Sequence, residues 1–226
     1  MKKFLAAAVF LALITFCTAL SAPLYGCAPQ NEYERYVSVL RQDIYSGTYG
    51  DIQVSAEYGF KETPFINDGA AKDRVYGYTV FMPVIPDEIK RTVSVTINGE
   101  TYAADLIADE ISSEYKAFIE TPNVHLSDFT AVFTSGSTTC ETAFSSIVPQ
   151  NALPYTAALD ALKKEQKPLL DAFTENGVFS AELYLKIFVK NGKPFWYVGI
   201  AYGSDRLKAL VIDGTTAQIL AVREIA

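Results

Sequence analysis

Past residue 31 the hydrophobic positions follow two different periods. Tyr33, Tyr36, Val37, Leu40 and Ile44 recur at i, i+3, i+4, i+7 and i+11. That spacing predicts an amphipathic helix over 32–45, opened by the capping box Asn31-Glu32-Tyr33-Glu34 and stopped at Ser46-Gly47. From Tyr49 onward the period falls to two. Ile52, Val54, Ala56 and Tyr58 alternate with Gln53, Ser55 and Glu57, as a half-buried strand requires. Residues 75–82 read as a central strand, apolar on both faces. Residues 92–97 and 100–106 flank Asn98-Gly99, a dipeptide that accepts positive φ at both centres of a type I′ hairpin turn. Further alternating runs lie near 114–120, 128–134 and 138–147. Seven strands in about 100 residues, with turn signals at regular spacing, predict an immunoglobulin-like antiparallel β-sandwich over 49–148.

Two prolines and a loss of periodicity mark 149–155 as a linker. A helix follows with Leu159, Leu162, Leu169, Leu170 and Phe173 on its apolar face, kinked or restarted at Pro168. Strands are then predicted over 178–190, 194–202, 207–212 and 218–225. Their turns are Asn191-Gly192, Gly203-Ser204-Asp205 and Asp213-Gly214. One helix before four meandering strands predicts an α+β module over 156–226. The expected fold is therefore mostly β, in two modules behind an N-terminal helix.

The first 31 residues have another character. Lys2 and Lys3 precede an apolar run from Phe4 to about Leu20, and no charge returns until Glu32. This is a secretory signal pattern. Leu24-Tyr25-Gly26-Cys27 resembles the lipobox of bacterial lipoproteins, with Tyr25 where a small residue is usual. The resemblance implies cleavage after Gly26 and lipidation of Cys27, giving a signal peptide at 1–26 and a lipid tether plus helix at 27–48. Cleavage nearby and retention of residues 4–25 as an anchor are the alternatives. All three place the remainder outside the cytoplasm, because Lys2 and Lys3 stay inside.

The 226 residues are 50% hydrophobic, which excludes a disordered polymer. The net charge is −7, and a body of that sign repels a nucleic-acid backbone. Losing residues 1–26 removes two lysines and no acid, so 17 basic residues face 26 acidic ones, a net charge of −9. Of the three cysteines, Cys17 lies in the signal and Cys27 is assigned to lipid, leaving Cys140 as a small apolar strand residue. A Cys27–Cys140 bridge is the alternative if Cys27 is not lipidated.

The final stretch Ala209-Leu210-Val211-Ile212-Asp213-Gly214-Thr215-Thr216-Ala217-Gln218-Ile219-Leu220, with the helix-then-meander order before it, resembles the PepSY family of exported bacterial modules. Thr216-Ala217 stands where that family has Thr-Gly, and a fourth strand is present. The resemblance implies an extracytoplasmic interaction module and carries over no catalytic residue.

Candidate chemistry is sparse. His125 is the only histidine, and Ser127 and Asp128 lie too near it in sequence to form a catalytic triad. Ser113-Glu114-Tyr115-Lys116 matches S-x-x-K, but on a strand-like segment. One histidine and one remaining thiol do not build a zinc site, and no cofactor fingerprint occurs. Asn67-Asp68-Gly69 with Asp73 lacks the ligand spacing of a calcium loop and reads as a turn. Asp105, Asp109 and Glu110, or Glu57 and Glu62, are the carboxylates available to a hydrolase of cell-wall polymer or sugar. Aromatic residues point elsewhere. Trp196 and Tyr202 share one strand face, Phe195 and Tyr197 the other, and Tyr76 and Tyr78 repeat the pattern earlier. One such face meets the helix, and the other is a candidate platform for peptide or sugar. The expectation is a membrane-tethered, non-catalytic protein that recognises an envelope protein or, second, a glycan.

Overall fold

A computed structural model describes residues 31–66, 68–85, 89–109, 111–202 and 206–225. The signal peptide, Gly26, Cys27 and the tether lie outside the described residues, as do Asn67 and Glu110. The chain from Glu32 to Ala226 is one compact unit.

Its first element corrects the sequence reading. A 3-10 turn at Glu32–Tyr36 leads into strand β1, Val37–Tyr49, where a helix was expected. The composition suits a strand, since Val37, Val39, Ile44, Tyr45, Thr48 and Tyr49 are β-branched or aromatic. The helical spacing comes from two β-bulges. Ser38 is an extra residue against the parallel partner of β1, and Gln42 is an extra residue against its antiparallel one. Each shifts side-chain parity by one, so the inward residues Val37 and Leu40 fall three apart and Leu40 and Tyr45 five apart.

Seven more strands follow: β2 (Ile52–Thr63), β3 (Asp73–Pro83), β4 (Arg91–Ile97), β5 (Glu100–Asp109), β6 (Glu114–Glu120), β7 (Asp128–Ser135) and β8 (Thr138–Ser146). The expected immunoglobulin-like sandwich is not formed. The order β1-β2-β3-β6-β5-β4-β7-β8 returns to β1 through Tyr45↔Ser146 and Gly47↔Phe144, closing an eight-stranded antiparallel barrel. The strand misread as a helix is the one that closes it. Glycines make the curvature possible. A Cβ on Gly59 would lie 1.8 Å from the Leu40 carbonyl oxygen, and one on Gly77 would lie 2.2 Å from that of Ile119. Gly59 and Gly77 face each other across β2 and β3, so both strands coil at one level. Tyr45, Tyr58, Tyr78, Phe129, Phe133 and Phe144 fill the interior, and Phe129 and Phe144 stack 4.9 Å apart.

The separate α+β, PepSY-like module is likewise corrected. Helices α1 (Tyr155–Glu165) and α2 (Lys167–Asp171) form, broken before Pro168. A two-residue ladder follows, β9 (Thr174–Glu175) with β10 (Val178–Phe179). The meander then runs β11 (Glu182–Lys190), β12 (Lys193–Tyr202), β13 (Arg206–Asp213) and β14 (Ile219–Ile225). It is not a second sheet. Strand β11 pairs in parallel with the first half of β1, from Val37↔Leu183 to Arg41↔Lys186, making one continuous twelve-stranded sheet. Turns Asn98-Gly99, Asn176-Gly177 and Asn191-Gly192 all have positive φ at both residues, as their sequences require. The helices cover one meander face, where Leu159, Leu162 and Leu170 meet Leu183, Leu185, Trp196 and Leu210 in a second core. Cys140, expected to be buried, is half-buried on β8.

Gly59→Ala drives a methyl group into the backbone of β1 and is expected to cost more than ~4 kcal/mol or abolish soluble protein. Gly50→Ala, at φ +59 with nothing within 4 Å, should cost only about 1 kcal/mol of strain. Denaturant titration of the two variants checks the difference.

Candidate functional site

Two surfaces carry candidate chemistry, and β1 positions one of them directly. Its first half pairs with β11 up to Arg41, and its second half pairs with β8 from Tyr45. Over residues 42–44 it has β2 on one side and neither of those strands on the other. The fork between β11 and β8 opens a cleft of about 330 Å³. Gln42, Asp43, His125 and Ser146 form its polar wall. Val148, Pro154, Ile187 and Trp196 form the apolar one.

Barrel tyrosines fix the polar wall. The Tyr45 hydroxyl donates to the Leu126 carbonyl at 2.6 Å, and that of Tyr58 to Asn123 Oδ1 at 3.0 Å. The Tyr78 hydroxyl donates to the Val124 carbonyl and accepts from the Leu126 N–H, each at 3.2 Å. Three buried phenols thus hold the 121–127 connection across one barrel end. Burial keeps all three protonated, pushing Tyr78 up to about 12 and Tyr45 and Tyr58 further up. The connection presents His125, whose ring stacks on Tyr58 at 5.1 Å.

Asp43 is the centre of the site and is 5% exposed. Its Oδ2 lies 2.7 Å from His125 Nε2, and its Oδ1 accepts from Ser146 Oγ at 2.6 Å and from the Ile44 N–H at 2.7 Å. In a serine-hydrolase triad the imidazole stands between hydroxyl and carboxylate. Here the carboxylate stands between the other two, so Ser146 points its proton at Asp43 and has no base. Ser127 bonds Asp128 at 3.1 Å instead of joining His125. Nothing in the linear spacing of 43, 125 and 146 announces this cluster.

The second surface is the meander face opposite the helices. Phe195 and Tyr197 lie there half-buried, as the alternation predicts. Phe195 stacks on Phe188 at 5.4 Å, and Phe65 meets Tyr184 at 5.8 Å, so four strand aromatics and one loop aromatic share the face. The other aromatic candidates are elsewhere. Trp196 is 2% exposed and donates from Nε1 to the Leu153 carbonyl at 2.9 Å. Tyr202 packs on Phe173 and bonds Glu175 at 2.7 Å. Tyr76 packs on Phe60, and Tyr78 is inside the barrel.

The carboxylates proposed for a hydrolase are mostly paired with cations: Asp105 with Lys90 at 2.9 Å, Asp109 with Lys116, and Glu57 with Arg41 and Lys186. Lys116 of the S-x-x-K match is thereby engaged, and Ser113 sits in a turn at φ +55. Glu62 differs. It is 1% exposed, accepts the Lys72 N–H at 3.1 Å through Oε1, and leaves Oε2 without a hydrogen bond. The equally buried Glu182 holds the Gly69 N–H at 2.8 Å and the Ser38 hydroxyl.

No family model, curated protein or solved structure matches the chain.

Burial raises the Glu62 carboxyl above its ordinary value near 4.5; the Lys72 N–H opposes the rise and the charge of Glu182 adds to it. The folded state therefore binds this proton more tightly than the unfolded chain. Its contribution to stability is full below the ordinary value and is lost as pH rises through the folded value. Glu62→Gln retains the acceptor for Lys72 and removes the charge. It should raise the melting temperature at pH 7, with the gain vanishing near pH 4, as a paired thermal-melt series over pH will read.

Proposed function

We propose that the chain is an exported, membrane-anchored, non-catalytic recognition protein of the cell envelope, whose ligand is an envelope protein first and a glycan second. The observation that carries this reading is the aromatic meander face, with Tyr184, Phe188, Phe195 and Tyr197 half-buried on the side away from the helices and Phe65 49% exposed beside them. Large flat rings of this kind supply contact area at low entropic cost, and they suit both polypeptide and sugar surfaces. The face is held on paired strands and so is preorganised. The lipobox resemblance at Leu24-Tyr25-Gly26-Cys27 supports the envelope setting, since two acyl chains anchor stably where one does not. The cationic partners of Asp105, Asp109 and Glu57 favour binding over a hydrolase built on those acids.

Proximity cross-linking of the full chain in the cells that make it tests the reading. Phe195→Ala with Tyr197→Ala should cut partner recovery at least tenfold, about 1.4 kcal/mol of binding. Unchanged recovery would refute the aromatic face. Cys27→Ala should release the protein from the membrane, and retention there would refute the lipid anchor.

A further inference from the structure

The fork cleft has a chemistry separate from the aromatic face. Its volume of about 330 Å³ falls at the lower end of the range occupied by small-molecule sites. Among the described residues no lysine or arginine lines it, and Asp43 is its one carboxylate. Three donors already reach that carboxylate, from His125, Ser146 and the Ile44 N–H. Oδ1 takes two of them and Oδ2 takes His125, and the Tyr45 hydroxyl also interacts with the carboxylate. None of the donors is a lysine or an arginine. Val148, Pro154 and Ile187 add apolar side chains to the same lining. The combination disfavours anions on charge and suits a molecule with a cationic head and a greasy body.

We propose that the fork cleft binds a small organic cation, a protonated primary amine on an apolar chain. The ammonium sits on Asp43 Oδ2 beside His125, and the chain lies along Val148, Pro154 and Ile187. Loss of the aromatic face would leave this site intact, and loss of the cleft would leave the face intact, so the two readings fail separately.

Trp196 is the only tryptophan in the chain and lines the cleft, so its fluorescence reports occupancy. The purified full chain is titrated with hexylamine, hexanol and hexanoate at one ionic strength. Hexylamine should give a saturable change at least tenfold tighter than hexanol, and hexanoate should give none. Asp43→Asn should bring hexylamine to the level of hexanol. Gln42→Lys, on the bulge and half-buried, places a cation in the lining and should turn the preference toward hexanoate. It provides the decisive comparison if Asp43→Asn does not fold. A response that does not saturate, hexanoate binding as tight as hexylamine, or a charge preference unmoved by either substitution would each overturn the proposal.

Discussion

One strand with two partners on the same side organises this molecule. The first half of β1 runs parallel to β11, and its second half runs antiparallel to β8. The bulge at Gln42 makes the exchange possible. On β2, Val54, Ala56, Tyr58 and Phe60 keep one parity throughout: the first three face the barrel core and Phe60 faces the core beneath the helices. On β1, Leu40 pairs with Phe60 and Tyr45 with Ala56, an even position and then an odd one. Without the extra residue, Leu40 and Tyr45 could not both face inward, and one core would lose its β1 contribution. Gly59 is forced by the same event, since it lies under the Leu40 carbonyl just before the parity changes.

The fork follows from that exchange, and so does the polar cluster inside it. Where a third strand would normally cover β1, a buried carboxylate takes hydrogen bonds from side chains far away in sequence. A buried carboxylate lacking donors would be strongly unfavourable. Asp43 is tolerable because the end of β8 supplies Ser146 and the tyrosine-fastened 121–127 connection supplies His125. The barrel's aromatic packing is thereby linked to the cleft: the phenols that fill the interior also fix the loop that carries the imidazole.

How much of this was legible depends on whether the information is local. The turns Asn98-Gly99 and Asn191-Gly192 were readable because positive φ is a property of the dipeptide. The separation of Trp196 from Phe195 and Tyr197 was readable because strand alternation is local too. Barrel closure was not, because it depends on β8 finding β1 about a hundred residues away. Seven alternating segments fit a sandwich as well as a barrel, and the eighth was disguised by its bulges. The meander's union with the barrel was hidden for the same reason, since its partner was the strand read as a helix. Asp43 fell within the expected helix, so the cluster with His125 and Ser146 had no basis in the linear pattern.

The two candidate surfaces share a pair of strands, and this constrains both. Ile187 opposes Trp196 and Phe188 opposes Phe195 across β11 and β12. The first pair lines the cleft side and the second builds the aromatic face, from adjacent positions on each strand. A slip of one residue would exchange them, sending Phe188 and Phe195 into the helix-covered core and Trp196 out to solvent. The Asn191-Gly192 turn prevents that slip by fixing a two-residue connection, with Lys190 opposite Lys193 immediately outside it. Burial of Leu183, Leu185 and Ile187 on one side reinforces the same register. The face, and the Ile187 and Trp196 contribution to the cleft, are therefore held in register by one local turn acting through one hairpin, and neither can be moved along the strand without moving the other.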